Sequence, residues 1–212
     1  MDYLIIGAGQ FGLSLTKKLS EYGHEVLLID RDNQIIASFI DIATRTLAGD
    51  CSDIETIQEL GVEDFDACFV CTSNDFQSSL EITSNLKDAG ASCVVAKAEN
   101  KSHANLLKKI GADEVVYPER DMAKRLALHY ARQGIFSNYE FMDNISLVEI
   151  KIPEPWIHKS LRELDVRQKY NVTIISFTKD AKFIAMIDPD LALEDDVRLL
   201  VLGDNEDILS LP

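Results

Sequence analysis

The sequence predicts an α/β chain: an N-terminal Rossmann-like, doubly wound parallel sheet followed by a small α+β unit. Three observations carry this. Apolar runs rich in Val, Ile and Leu alternate with amphipathic stretches through residues 1–134. A G-x-G-x-x-G motif follows the first of those runs directly. Beyond the linker at 135–144 the pattern changes to short strands around one short helical segment.

The expected strands of the first part are 3–7 (YLIIG), 25–30 (EVLLID), 44–49 (TRTLAG), 67–72 (ACFVCT), 92–97 (SCVVAK) and 114–118 (EVVYP). Amphipathic stretches such as 11–23 and 102–112 separate them, which indicates parallel strands covered on both faces. A longer helical segment, 119–134, places Met122, Leu126 and Tyr130 four residues apart with Ala123 and Ala127 alongside, forming one apolar stripe. Residues 1–134 are thus the expected first domain, 135–144 a linker, and 145–212 a second domain. The second is read as strands at 145–152, 171–178, 182–187 and 197–203, with a helix around 159–166. It is near the lower size limit for independent folding and is expected to lean on a partner or dimerise.

Composition excludes several classes. The 212 residues are 46% hydrophobic and 27% charged, as in an ordinary globular protein. No apolar stretch approaches the roughly 20 residues that span a bilayer, and the N-terminus carries no signal core. A cytoplasmic location without membrane insertion is expected, compatible with docking on a membrane protein. The formal net charge of −15 argues against nucleic acid, because displacing phosphate counterions needs a basic face. Of the four cysteines, Cys68 and Cys71 spell C-x-x-C. They lie in a strand, where residues three apart face opposite ways, so they read as buried hydrophobes.

The glycine motif carries the chemistry. Gly7 permits a tight turn, Gly9 lets phosphate approach the backbone, and Gly12 allows close helix–strand packing. The helix that follows, opening at Gln10 and Phe11, offers unpaired N–H groups to a pyrophosphate. Asp30 ends the second strand, where a carboxylate accepts hydrogen bonds from ribose hydroxyls and repels a 2′-phosphate, so NADP is disfavoured. Arg31 follows it and reads as a solvated loop residue or a ligand contact. Asp50, with Cys51 beside it, follows the third strand, where an adenine edge lies in such folds. Thr72, Ser73 and Asn74 follow the fourth, and either reach phosphate and ribose or cap the next helix. His24, His103, His129 and His158 stand apart from one another and from acid pairs, so no catalytic role is assigned. Trp156, between prolines, reads as a packing anchor.

In these and further stretches the chain resembles the TrkA/KtrA-type RCK (regulator of potassium conductance) family along essentially its whole length. The matching stretches are 7–12 (GAGQFG), 23–32 (GHEVLLIDRD), 49–53 (GDCSD), 97–100 (KAEN), 109–127 (KIGADEVVYPERDMAKRLA) and 160–174 (SLRELDVRQKYNVTI). The resemblance implies a cytosolic regulatory subunit, peripheral at the inner face of the cell membrane. It implies dimers assembled as a ring, typically an octamer, under a potassium channel or transporter. It implies ATP or ADP, or NAD or NADH, at Gly7, Gly9, Gly12, Asp30 and Asp50. Lys97 and Glu119 match residues near the nucleotide at the dimer interface, and Glu119 matches a carboxylate that binds a divalent cation between subunits in some members. Arg167, Asn171 and Val172 match a segment that binds cyclic di-AMP in others. Gln10 departs from the pattern: members that distinguish ATP often carry a basic residue there. A glutamine offers no charge to a terminal phosphate, which favours ADP, AMP or NAD(H).

Two other classes fit the sequence less well. An NAD(H)-dependent oxidoreductase, the alternative, needs an acid/base group brought to the nicotinamide, and residues 145–212 hold one histidine and no such cluster. A DNA-binding redox sensor needs a basic reading helix, which the charge excludes. The expectation is a regulator and not an enzyme.

Overall fold

In a computed structural model, six strands form a parallel sheet in the first part of the chain. They are β1 (Asp2–Ile6), β2 (Glu25–Asp30), β3 (Arg45–Ala48), β4 (Ala67–Val70), β5 (Val94–Lys97) and β6 (Glu114–Val116), ordered β3-β2-β1-β4-β5-β6. The structure describes every residue except Ser73, Asn74, Gln133, Asp143, Asp180, Ala181, Ala185 and Met186, and the side chains of Asn138, Glu140, Phe141 and Met142. Helices α1 (Gln10–Glu21), α2 (Asn33–Ala37), α3 (Ile54–Glu59), α4 (Phe76–Asp88) and α5 (Lys101–Lys109) connect the strands. Asp32, Asp53, Asp75 and Asn100 cap α2 to α5 with side-chain oxygens on first-turn N–H groups.

Alternation along the strands builds two cores. Leu4, Ile6, Leu27, Ile29, Cys68 and Val70 pack on one face of the sheet. Ile5, Val26, Leu28 and Cys71 pack on the other. Register explains the match, since Ile5 pairs with Leu28 on one side and Phe69 on the other. Cys68 and Cys71 do fall on opposite faces, and burial pushes both thiols up to about 12, so neither is reactive. The order reverses at β1, whose neighbours β2 and β4 lead away in opposite directions. That switch point is where ligands bind in open α/β sheets.

The chain divides into two units, Met1–Glu119 and Arg120–Pro212. Helix α6 (Pro118–Ala131) starts at this boundary, and its Leu128 packs into the core of the second unit. Met122, Leu126 and Tyr130, the stripe seen in sequence, are exposed in the single chain.

The second unit is a five-stranded antiparallel sheet. Its strands are β7 (Ile135–Met142), β8 (Ile145–Lys151), β9 (Thr173–Lys179), β10 (Lys182–Ile184) and β11 (Arg198–Asp204), ordered β10-β9-β11-β8-β7. Here the sequence reading is corrected: 135–144, expected as a linker, is mostly strand β7. The Ser137–Asn138 pair interrupts the alternation expected of a strand, but pairing with β8 buries Ile135, while Arg198 stacks 3.7 Å over the Phe136 ring. The helix expected at 159–166 is two, α7 (Leu161–Leu164) and α8 (Val166–Tyr170), broken at Asp165 with φ 46°. A last helix, α9 (Asn205–Ser210), was not anticipated, and Arg132 ties it down by donating to the Ile208 and Pro212 carbonyls at 3.0 and 2.6 Å. Trp156, 1% exposed, sits in this core as expected of an anchor. Among the described residues no helix is long and apolar enough to cross a membrane.

Candidate functional site

The glycine loop is built by close approach. Gly7 has φ +106°, and a Cβ there would stand 2.8 Å from the Thr72 backbone nitrogen. A Cβ on Gly12 would stand 2.0 Å from the Gly7 carbonyl oxygen, so only glycine lets α1 start this close to β1. Gly9 is the N-cap of α1 and has no side chain to occupy the first-turn N–H groups.

Asp30 is clasped to that loop. Its Oδ2 accepts from the Ala8 N–H at 2.7 Å, and its Oδ1 from the Asp32 N–H at 2.9 Å. The Gly7 N–H in turn donates to the Ile29 carbonyl at 2.8 Å. A carboxylate offers about four lone-pair sites, so Asp30 is oriented by two bonds with capacity left for a ligand.

A cleft of about 310 Å³ opens here, within the size range of small-molecule sites. Gly7, Gly9 and Asp30 line it, as do Arg31, Asp50, Cys51 and Thr72. Asp50 accepts from the Ser52 N–H at 3.0 Å and the Ser52 hydroxyl at 2.6 Å. Those two bonds hold its carboxyl below the usual range. Burial raises the Cys51 thiol to about 12, leaving it an apolar wall. The Thr72 hydroxyl oxygen is buried without a hydrogen-bond partner among the described residues. A phosphate or ribose oxygen in the cleft would satisfy it, so the site fits a nucleotide.

Three polar contributors, Asp32, Asp75 and Ser78, lie outside the expected set. Asp75 and Ser78 line the same cleft: Asp75 caps α4 through the Ser78 N–H at 3.0 Å and accepts from the Ser78 hydroxyl at 2.7 Å. Arg31 stands 3.5 Å from the Asp75 carboxylate, so it is paired and not merely solvated. An Asp placed just after a carboxyl-edge loop is the signal that the sequence offers for it.

Other expected residues lie elsewhere. Gln10 is exposed at the first turn of α1, Phe11 packs on one sheet face, and Gly12 lies beneath the loop. Lys97, 9% exposed, pairs with Glu119 at 2.8 Å, and this bond holds the Glu119 carboxyl below the usual range. Neither lines the cleft. Among the described residues no group of three or more His, Cys, Asp or Glu is placed to hold a metal ion. Ser73 and Asn74 lie outside the described residues. In the second unit Arg167 and Asn171 are exposed on and just after α8, whereas Val172 is buried in the core.

Comparison with known proteins matches these features. The TrkA-N domain family matches residues 3–118, and the TrkA-C domain family residues 145–211. The Ktr system potassium uptake protein C of Bacillus subtilis (strain 168) is 34% identical over 208 residues, 98% of this chain and 94% of that one. The Ktr system potassium uptake protein A of the same organism is 28% identical over 207 residues, 98% and 93% of the two chains. Among solved structures, the GsuK channel bound to NAD matches with a TM-score of 0.66 at 16% identity, a likeness of fold alone. It covers 97% of this chain, which spans only 38% of that one. The glycine loop on a doubly wound sheet, the antiparallel unit after it, and the two family matches in that order agree: the chain belongs to the TrkA/Ktr family of RCK-type proteins.

Proposed function

We propose that this chain is a non-catalytic regulatory subunit of a membrane potassium uptake system, sensing an adenine nucleotide in the cleft at the carboxyl edge of its parallel sheet. The observation that carries the reading is Asp30 clasped to Ala8 of the glycine loop at 2.7 Å, which supports Asp30 as a ribose acceptor next to a helix start suited to phosphate. The Ktr relatives support potassium uptake as the process, and the NAD-bound GsuK channel supports a nucleotide as the ligand. The subunit works on the cytoplasmic face, as dimers assembled into a ring against a membrane transporter. A ligand gates such a ring only if it binds its states with different affinity. With Gln10 in the loop, the uncharged side chain favours ADP or NAD(H) over ATP. A divalent cation at Glu119 and cyclic di-AMP near Arg167 and Asn171 belong to the same reading as further ligands. For the oxidoreductase alternative, the described residues that line the cleft include no histidine, lysine or tyrosine to exchange a proton at a nicotinamide.

Thermal melts with ATP, ADP, NAD, NADH and cyclic di-AMP test the reading, since a ligand of the folded state raises Tm. At least one adenine nucleotide is expected to stabilise the chain, and Asp30→Ala to abolish that shift while the apo protein still melts cooperatively. Steady oxidation of a hydroxy acid or alcohol with NAD would sink it, as would an unchanged nucleotide affinity in Asp30→Ala.

A further inference from the structure

The cleft carries an unusual charge balance for a phosphate site. Among the described residues that line it, Arg31 is the one cation, facing the carboxylates of Asp30, Asp32, Asp50 and Asp75. Anionic ligands are repelled from such a cleft unless a cation turns toward them. The glycine loop supplies none, since Gln10 is neutral and exposed. Arg31 leaves the end of β2 and pairs with Asp75, which follows β4, while β1 and its glycine loop lie between those two strands. The ion pair therefore crosses the cleft over the place where a diphosphate at the start of α1 would sit.

Resting on the nucleotide reading above, we infer that Arg31 is the diphosphate-recognising residue of the cleft, held in readiness by Asp75. Ligand entry exchanges the Arg31–Asp75 pair for an Arg31–diphosphate pair. The chemistry suits the exchange on both sides. Arginine presents a planar fork that meets phosphate oxygens bidentately, better than a carboxylate 3.5 Å away. The Arg31 side chain is 68% exposed, so the resting pair is weak and free to swing. Asp75 is not stranded when Arg31 leaves, because the Ser78 N–H and hydroxyl stay on its two oxygens.

Calorimetry on the full chain with ADP, NAD and adenosine tests this, using Arg31→Ala, Asp75→Asn and the double variant, with Asp30→Ala as the control for the cleft itself. Asn keeps the cap on α4, and circular dichroism verifies that each variant is folded. Arg31→Ala is expected to weaken ADP and NAD alike by about tenfold, the scale of one charged hydrogen-bonded contact, and to leave adenosine unchanged. Asp75→Asn is expected to tighten ADP and NAD several-fold, and to do so less when Arg31 is absent. ADP and NAD affinities that survive Arg31→Ala, a loss confined to one of them, or additive effects in the double variant would each overturn the exchange. If Asp30→Ala abolishes binding while Arg31→Ala does not change it, only the exchange falls. If the wild-type chain binds none of the three, the nucleotide reading falls first.

Discussion

The parallel sheet of the first unit buries both its faces, and the antiparallel sheet of the second buries one. Strand β2 is buried at four successive positions, Val26 to Ile29, whereas β8 alternates buried Ser146, Val148 and Ile150 with half-exposed Leu147 and Glu149. A sheet covered on both sides has only its edges and its carboxyl ends left for chemistry, and the cleft lies at that end, between β2 and β4. A sheet with an open face keeps side chains available along its length and needs a further layer or a partner to cover them. The glycines show the same contrast. In the first unit a Cβ on Gly12 meets backbone at 2.0 Å; in the second a Cβ on Gly203 meets the Val172 side chain at 2.8 Å.

That contrast can be broken by substitution. Gly12→Ala is expected to cost more than about 4 kcal/mol or to prevent folding of the first unit, because backbone cannot yield that far. Gly203→Ala, which crowds one core side chain, is expected to cost about 1–3 kcal/mol in chemical denaturation. Equal costs would mean that the loop is no tighter than the sheet. Next come Leu28→Ala and Leu199→Ala, both fully buried and each expected to cost about 2–5 kcal/mol. Trp156 is the single tryptophan and reports on the second core. Its fluorescence midpoint should fall with Leu199→Ala and hold with Leu28→Ala, while circular dichroism registers both. A common shift would join the two cores into one cooperative block.

Smaller effects sharpen the site. Gln10→Arg is expected to raise the ATP-to-ADP affinity ratio by about tenfold in calorimetry, the worth of one charged hydrogen bond. An unchanged ratio would put position 10 out of reach of the third phosphate. The smallest effect concerns acid. Hydrogen bonding from Lys97 lowers the Glu119 carboxyl in the folded chain. Its contribution is therefore present above the unfolded value of about 4.3 and is lost as pH falls through the lower folded value. Glu119 is 63% exposed, so solvent screening keeps the contribution under about 1 kcal/mol. The stability gap between wild type and Glu119→Gln should close on acidification below about pH 4.3, and a gap that persists would show that the ion pair is not its source.

Much of the first unit was legible in sequence because its signals are local. The apolar runs, the three glycines and the strand-ending Asp30 each act within a few residues, and the six strands appear where those runs lie. The second unit was harder to read. Strand β7 (IFSNYEFM) lacks a clean two-residue alternation of apolar and polar positions and is a strand because β8 offers it a ladder of hydrogen bonds. The break between α7 and α8 turns on Asp165 accepting a left-handed backbone, which its composition permits but does not announce. Asp75 was missed as a site residue because Arg31, the side chain that ties it to the cleft, is remote in sequence.

The sequence by itself determined the doubly wound sheet, the glycine loop after its first strand and the carboxylate that ends its second, since strand period, glycine freedom and residue charge are properties of short segments. Only the tertiary structure decided that Arg31 faces Asp75, that Lys97 is paired with Glu119, and that the Thr72 hydroxyl is buried without a partner among the described residues. Those relations join the ends of different strands. Their geometry comes from how the sheet twists and which strand lies beside which, and no window of sequence contains that information.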